Sequence, residues 1–156
     1  MARYTVGCAL RWSDLDLFGH VNNARFLTLY EEARVALLFT DARDAGITSL
    51  EDGVVIARHE IDYLRPVDFI VESGPNFAGS ARPDRRVRID MWLEEIRPSR
   101  FVIGYELLDG DQVASRARSV CVPFDLSAGR PRRLTRAERE YLAPWLDPGP
   151  TTADRP

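Results

Sequence analysis

The feature that most constrains this 156-residue chain is a long apolar helix that begins directly after a polar turn. Over residues 23–45 the apolar residues recur at helical spacing, and Phe26, Tyr30 and Leu37 fall on one face. Other apolar residues, among them Leu38, lie off that face. Because a helix with apolar residues on several sides is more enclosed than a surface helix, the rest of the chain is expected to surround it.

Strand-like segments account for most of the remaining chain. Residues 3–12 predict a strand before the helix, and residues 55–63 predict a half-buried strand after it. In that second strand Val55, Ala57, His59, Ile61 and Tyr63 are expected on the inward face. Further strands are predicted at 86–93, 101–107 and 113–122, with turns at 97–99 and 109–111.

The order of these elements predicts the fold class. A strand, one long helix and a run of antiparallel strands indicate an α+β protein in which a curled antiparallel sheet wraps around a central helix. The leftover sheet edge and outer apolar residues favour a symmetric dimer. We expect a single domain over residues 1–146 and a disordered tail over 147–156.

Two smaller predictions concern the loop and the C-terminal end. Residues 73–84 are rich in Gly, Pro and Ser and predict a long loop, with a short strand possible at 69–72. Residues 135–146 predict a short helix capped by Thr135.

The composition excludes several classes of function. A net charge of −3 argues against a nucleic-acid binder. The chain has no lysine, which excludes Schiff-base and phosphate-loop chemistry. Two cysteines, two histidines and no HExxH motif argue against a metal site, so we expect none. With no leader-like segment and no run of about 18 apolar residues, a cytoplasmic protein with no membrane partner is expected.

The polar turn concentrates groups that carry chemistry. Two carboxylates, a histidine and two asparagines lie within ten residues: Asp14, Asp16, His20, Asn22 and Asn23. Such a turn can aim a carboxylate and backbone N–H groups at one small volume, as acyl transfer requires. Unpaired amides and the positive end of the helix dipole are available there for an oxyanion. The structural alternative is an aspartate that only forms the turn and an asparagine that only caps the helix.

The motifs of this stretch resemble a known family. RWSDLD, GHVNNARF and EEAR, all within residues 11–34, closely resemble the hotdog-fold acyl-CoA thioesterases of the 4-hydroxybenzoyl-CoA thioesterase-like group. ARHEIDYLRPV at 57–67 and YELLDGDQVASRARSVCVPFD at 105–125 are similar to that family as well, so the likeness extends to about residue 134. Plant acyl-carrier-protein thioesterases carry an asparagine where this chain has Phe18, which favours the bacterial branch.

The resemblance implies a function and a set of site residues. It implies hydrolysis of an acyl-CoA without a resident cofactor, in a homodimer or a tetramer of dimers with active sites at the subunit interface. Asp16 matches the position of the catalytic carboxylate, and both a general-base role and a nucleophilic role stay open. The Asn23 N–H is the implied oxyanion donor. His20 would orient the water, protonate the leaving thiolate or fix the loop.

The remaining candidates support these three residues. Asp14 is expected to brace the turn, Asn22 to hold the helix start and Glu32 to give support from the helix, while Glu31 beside it is expected to be solvated. His59 and Tyr63 are expected to pack inward, with a substrate-binding role across a dimer interface as the alternative. Arginines suit the phosphates of coenzyme A, and six are candidates: Arg82, Arg85, Arg86, Arg88, Arg97 and Arg100.

Two alternative functions remain compatible with these residues. One is a thioesterase that acts on acyl groups carried by acyl carrier protein. The other is a hotdog protein that binds acyl-CoA without cleaving it, although a binder has no need of a carboxylate such as Asp16 beside the thioester. A serine hydrolase is disfavoured because no GxSxG motif occurs.

Overall fold

A computed structural model describes residues 2–69 and 85–147 of the chain. Its main feature is one antiparallel sheet with the strand order β1-β3-β4-β5-β2. The strands are β1 (Tyr4–Ala9), β2 (Val54–Tyr63), β3 (Arg86–Arg97), β4 (Arg100–Asp109) and β5 (Gln112–Asp125), and a short β6 (Arg130–Pro131) pairs with the end of β5. The strands and the two turns predicted after residue 85 are therefore confirmed, and β5 extends beyond its predicted end.

The predicted long helix is also confirmed, with one irregularity. Helix α1 (Asn23–Val35) continues through a π-helical stretch (Ala36–Asp41) into α2 (Ala42–Asp44), and Gly46 follows with φ +81°. In a π-helical turn the hydrogen bonds span one residue more than in an α-helix. The Tyr141 hydroxyl donates a 2.7 Å hydrogen bond to the Leu37 carbonyl within this stretch. No helix in the described part of the chain is long and apolar enough to cross a bilayer.

Helix α1 lies with its apolar face against the sheet. On the helix, the buried residues of this face are Phe26, Leu29, Tyr30, Ala33 and Leu37. On the sheet, alternate residues of the two central strands are completely or almost completely buried: Val87, Ile89, Met91, Leu93, Phe101, Ile103, Tyr105 and Leu107. Together they form one core, and the predicted α+β architecture of a curled sheet around a central helix is confirmed.

Strand β2 departs from the predicted alternation. A β-bulge shifts its register against β5 between Ile56 and Arg58. Before the bulge Val54 and Ile56 pack against the core, whereas Val55 and Ala57 are exposed. The predicted inward orientation of Val55 and Ala57 is therefore wrong, because one extra residue moves every side chain before it to the opposite face.

The C-terminal helix is confirmed, and Asp147 is bound to the body of the fold. Helix α3 (Arg136–Leu142) starts at the predicted cap Thr135 and leads into a 3₁₀ turn (Ala143–Trp145). Asp147 is buried, and its carboxylate lies 3.6 Å from the Arg3 guanidinium. The rest of the predicted tail, the predicted loop at 73–84 and the predicted strand beyond Phe69 lie outside the described residues.

A buried carboxylate fixes α3 to the chain that follows α2. Glu138 is fully buried, and its carboxylate accepts hydrogen bonds from Ser49 at 2.7 Å, the Thr135 N–H at 2.7 Å and Arg132 at 2.8 and 3.0 Å. Burial by itself would raise the pKa of Glu138. The hydrogen bonds and the positive charge of Arg132 outweigh burial, and the pKa of Glu138 lies below its ordinary value.

We expect Glu138→Gln to lower the free energy of unfolding by about 2 kcal/mol at pH 7, because it weakens the charge-assisted hydrogen bonds that the buried carboxylate accepts from Arg132. Since the pKa of Glu138 is lower in the folded chain, its stabilising effect is complete above the unfolded pKa of about 4.3. The effect is lost as the pH falls through the folded pKa. Urea unfolding of both proteins at pH 7 and at lower pH measures this difference.

Glu140→Gln is the matched control, because it removes an exposed ion pair with Arg136 on the same helix. Exposed pairs contribute little, so its urea midpoint is expected to stay close to that of the wild type. Equal destabilisation by the two substitutions at pH 7 would contradict the role assigned to Glu138.

Candidate active site

The turn between β1 and α1 is a tight reversal that orients Asp16. Leu15 and Val21 form an antiparallel bridge, and the Asp16 N–H donates to the His20 carbonyl at 2.8 Å. Gly19 has φ +76°, a conformation that favours glycine. One carboxylate oxygen of Asp16, Oδ1, accepts the N–H groups of Phe18 at 2.8 Å and His20 at 3.1 Å. The turn thereby fixes the carboxylate and leaves Oδ2 without a donor among the described residues.

Asp14 holds the start of the turn to the start of the helix. It is buried, and its Oδ2 accepts the Arg11 N–H at 2.7 Å. Its Oδ1 lies 3.8 Å from the Arg25 guanidinium, and its carbonyl accepts the Asn22 N–H at 2.8 Å. These are the contacts of a bracing residue, and they place Asp14 inside the fold rather than beside open solvent.

The backbone N–H groups at the start of α1 differ in whether they have a hydrogen-bond acceptor. Asn22 is the N-cap, and its side-chain oxygen accepts the Ala24 N–H at 2.9 Å. The N–H of Asn23, by contrast, has no acceptor within residues 2–69 and 85–147, and Asn23 is exposed. An unpaired N–H at the positive end of a helix can donate to an anion or an oxyanion. The geometry therefore leaves one amide available at the position that the resemblance implies.

Tyr63 joins the end of β2 to the start of α1. Its hydroxyl donates to the Asn23 carbonyl at 2.8 Å, and its ring meets Phe26 edge to face with centroids 5.2 Å apart. Burial raises the pKa of Tyr63, so the hydroxyl keeps its proton and remains a donor. Tyr63 is thus the predicted strand residue that the structure brings to the helix start.

His20 has a charged neighbour that the sequence did not indicate. Its Nε2 lies 3.3 Å from the Asp68 carboxylate, and the two residues form an isolated antiparallel bridge. The adjacent Val21 N–H donates to the Val67 carbonyl at 2.8 Å. Asp68 follows β2 in a segment without periodicity. Its proximity to His20 is therefore evident only from the pairing of that segment with the turn.

The two glutamates of α1 influence different strands. Both are exposed. The charge of Glu32 acts on β1, where burial, followed by this charge, raises the pKa of the Cys8 thiol to about 11. The charge of Glu31 acts instead on His59 of β2. No hydrogen bond joins Glu32 to the turn in the described part of the chain, so the supporting role predicted for it stays a prediction.

His59 lies away from the turn within one chain. Its Nδ1 is 2.7 Å from the Ser119 hydroxyl, and burial followed by the charge of Arg34 lowers its pKa. It lies four positions before Tyr63 along β2, which corresponds to about 13 Å. A substrate contact by His59 would have to come from another subunit and stays a prediction.

Of the six arginines proposed for coenzyme A, the five that lie in the described part of the chain are already engaged in contacts. Arg85 pairs with Asp109 at 2.6 Å, Arg88 lies 3.4 Å from Asp90, and Arg86 donates to the Gly7 carbonyl. Arg97 and Arg100 share Glu95. Arg82 lies outside the described residues. None of the six is singled out by these contacts, and their role stays a prediction.

Large apolar side chains are exposed around the turn. Trp12, Leu17 and Phe18 are 78%, 100% and 81% exposed, respectively. Large exposed apolar side chains close together in sequence are typical of contact surfaces for ligands or other subunits. The sequence does not predict the exposure of Phe18, because a turn shows no periodicity from which exposure follows.

Comparison with known proteins identifies the family. A family model described as the thioesterase-like superfamily matches residues 10–146. The chain belongs to this superfamily. The hotdog thioesterase family predicted from the motifs is thereby confirmed. Among curated proteins, none matches the chain significantly.

Solved structures agree with this assignment. A protein described as a predicted thioesterase from Bacillus stearothermophilus is 25% identical, with a TM-score of 0.72 over 94% of this chain and 98% of that one. A thioesterase from Thermus thermophilus, solved with coenzyme A and Zn, is 27% identical, with a TM-score of 0.67 over 90% and 92%. The YbaW protein of Escherichia coli, 22% identical with a TM-score of 0.68 over 92% and 98%, shares the fold.

We expect Asn22→Ala to lower the free energy of unfolding by about 1 kcal/mol, because the Ala24 N–H loses its capping acceptor. Asn22→Asp keeps an oxygen at the same position and is the matched control, expected to retain most of the stability. Urea midpoints of the three proteins measure the effect. A midpoint for Asn22→Ala equal to that of the wild type would show that the cap is not needed to hold the helix start.

Proposed function

We propose that the protein hydrolyses acyl-CoA thioesters to a free acid and coenzyme A. The observation that carries the proposal is the Asp16 carboxylate, fixed by the Phe18 and His20 amides, close in sequence to a helix start whose Asn23 N–H is unpaired within the described ranges. A preoriented carboxylate and a free amide are the two groups that acyl transfer needs. The relative from Thermus thermophilus that was solved with coenzyme A supports a CoA thioester as substrate.

Two routes use the same groups. In the first, Asp16 takes a proton from water, whose oxygen attacks the thioester carbon, and the Asn23 N–H donates to the oxyanion. The C–S bond then breaks, and the thiolate receives the proton. In the second, the carboxylate attacks the carbon and forms a mixed anhydride with release of the thiolate, and water hydrolyses the anhydride. Both yield the acid and the thiol.

This chemistry requires no resident cofactor or metal. The thioester carbonyl is already electrophilic, and a thiolate is a better leaving group than an alkoxide. What the protein supplies is a carboxylate of fixed orientation, an oxyanion donor and a histidine whose backbone N–H donates to that carboxylate. The function as a thioesterase therefore rests on the residues of the turn and the helix start.

A second copy of the chain is the proposed partner. Strand β2 lies at one end of the sheet order, so one of its backbone edges has no neighbour among the described strands. Val55 and Tyr63 on this strand are partly exposed, as is Val35 on α1. An unpaired ten-residue edge flanked by apolar groups is suited to antiparallel pairing with an identical strand, which gives a symmetric dimer.

We expect Asp16→Asn to lower kcat for a good acyl-CoA substrate by at least about 100-fold, because an amide is neither a general base nor a nucleophile of comparable strength. The amide oxygen of the variant can still accept the Phe18 and His20 N–H groups, so the turn is retained. Release of free thiol from a panel of acyl-CoAs, detected with DTNB, measures turnover.

Asp44→Asn is the control for this variant, since Asp44 is an exposed aspartate on α2. Undiminished turnover in Asp16→Asn would remove Asp16 from the mechanism. Saturable acyl-CoA binding by the wild type without thiol release would instead indicate a binding protein. The same acyl chain on coenzyme A and on acyl carrier protein distinguishes the two carriers through the ratio of their kcat/KM values.

We expect the wild type to elute with twice the mass of one chain in size exclusion with light scattering, and Val55→Glu to weaken this dimer. A charge at the partly exposed Val55 would be desolvated if β2 pairs with a second copy. Ala45→Glu, at an exposed position after α2, is the control and is expected to remain dimeric. A dimer of unchanged stability in Val55→Glu would contradict pairing through this edge.

A further inference from the structure

His20 donates its backbone N–H to Asp16 and has the Asp68 carboxylate beside its ring, and this arrangement points to a further residue for the reaction. We propose that Asp68 is a positioning residue that fixes the His20 ring with hydrogen on Nε2, so that Nδ1 accepts a hydrogen from the attacking water. The inference rests on the proposed thioesterase function and names a residue that the motifs did not indicate.

The backbone brings the two residues together. His20 and Asp68 are opposite each other in an antiparallel bridge, and the neighbouring Val21 N–H donates to the Val67 carbonyl at 2.8 Å. The Asp68 carbonyl accepts two hydrogen bonds from the Arg85 guanidinium at 3.0 and 3.2 Å. These bonds hold the Asp68 backbone without using its carboxylate. Strand register therefore places the two side chains opposite each other, within reach of a direct contact.

The neighbour of the ring favours one tautomer. The Nε2 atom lies 3.3 Å from the Asp68 carboxylate, and because an ionised carboxylate only accepts hydrogen bonds, this proximity favours hydrogen on Nε2. Nδ1 is then the acceptor nitrogen, and it has no hydrogen-bond partner within the described ranges. The backbone N–H of the same histidine donates to Asp16 at 3.1 Å. One residue thus contacts both carboxylates, through its backbone and through its ring.

The contact between His20 and Asp68 is not explained by a contribution to the stability of the fold. The side chains of His20 and Asp68 are 40% and 59% exposed, and an ion pair in such a position contributes little to folding. An orienting carboxylate on a catalytic histidine acts in a different way, because it fixes the tautomer and the ring direction. This role predicts a loss of turnover with little change in stability.

The step can be written with all atoms accounted for. The water oxygen attacks the thioester carbon while one of its hydrogens is held by Nδ1 of His20 and the other passes to Asp16. The C–S bond breaks with its electron pair on sulfur, and the thiolate receives the proton from Asp16. The sum is one thioester and one water converted to one acid and one thiol. In the anhydride route the water, with one hydrogen held by Nδ1, attacks the anhydride in the second step. The Asp16 carboxylate leaves, and the proton lost by the water goes to the thiolate released in the first step.

The first test is kinetic. Asp68→Asn is expected to lower kcat by about 10-fold to 100-fold, less than loss of the general base itself, with KM within about twofold. Asp68→Glu is expected to restore most of kcat, because it returns a carboxylate. Asp44→Asn is the control for the lost charge. The urea midpoint of Asp68→Asn is expected to match that of the wild type.

A double-mutant cycle separates positioning from an independent effect. If Asp68 acts through His20, then adding Asp68→Asn to His20→Gln lowers kcat no further. Additive losses would overturn the proposal, as would a kcat of Asp68→Asn equal to that of the wild type.

The last test does not depend on turnover. The chain has only two histidines, so His59→Gln assigns the ring signals of His20 in ¹⁵N NMR spectra. At pH 8 the wild type is expected to show hydrogen on Nε2, and Asp68→Asn a mixture of both tautomers. An unchanged tautomer in Asp68→Asn would overturn the proposal even if kcat falls. If the wild type hydrolyses no thioester, the proposed function fails, and the NMR result still decides the pairing.

Discussion

The packing of the apolar face of α1 against the concave side of the sheet is the interaction on which the rest of the structure depends. Phe26, Leu29 and Tyr30 are almost completely buried there. Burial of each large side chain contributes about 1.5–3 kcal/mol, so this contact outweighs any single polar interaction in the chain. The body of the helix is thereby fixed inside the sheet, while its first residue, Asn23, stays exposed at the edge of the core.

Polar contacts fix the position of the helix along its own axis relative to the sheet. The Tyr30 hydroxyl donates to Ser115 at 2.9 Å, and Tyr63 donates to the Asn23 carbonyl at 2.8 Å. Tyr30 is buried, and a buried hydroxyl without a partner would cost about 1–3 kcal/mol, so its bond favours one axial position over its neighbours. Asn23 is held in place by this bond, made further along the helix, and by the bond that Tyr63 donates to its carbonyl. Precise positioning of a donor in this manner is what an oxyanion site requires.

The two aspartates of the turn have different roles because their environments differ. Asp14 is buried, with an N–H, a guanidinium and an amide of the helix start around it, and it fixes the loop. Asp16, two residues later, is only partly buried and keeps one oxygen without a donor in the described part of the chain. One carboxylate therefore stabilises the turn, and the other is available for chemistry. From the sequence alone, only the resemblance to a family indicates which of the two aspartates is the catalytic candidate.

The amino-acid sequence by itself determined the order of the elements, the enclosed helix, the alternating faces of β3 and β4, and the candidate turn. Each of these follows from local periodicity or from turn chemistry, and both depend only on residues that are close together in the sequence. The tertiary structure alone decided which residues meet across long separations. The bulge in β2 reversed the orientation of Val55 and Ala57, and strand pairing brought Asp68 to His20 across about 48 positions of sequence. Such contacts depend on the register between distant segments, and register is a property of the folded sheet, not of any one stretch of the chain.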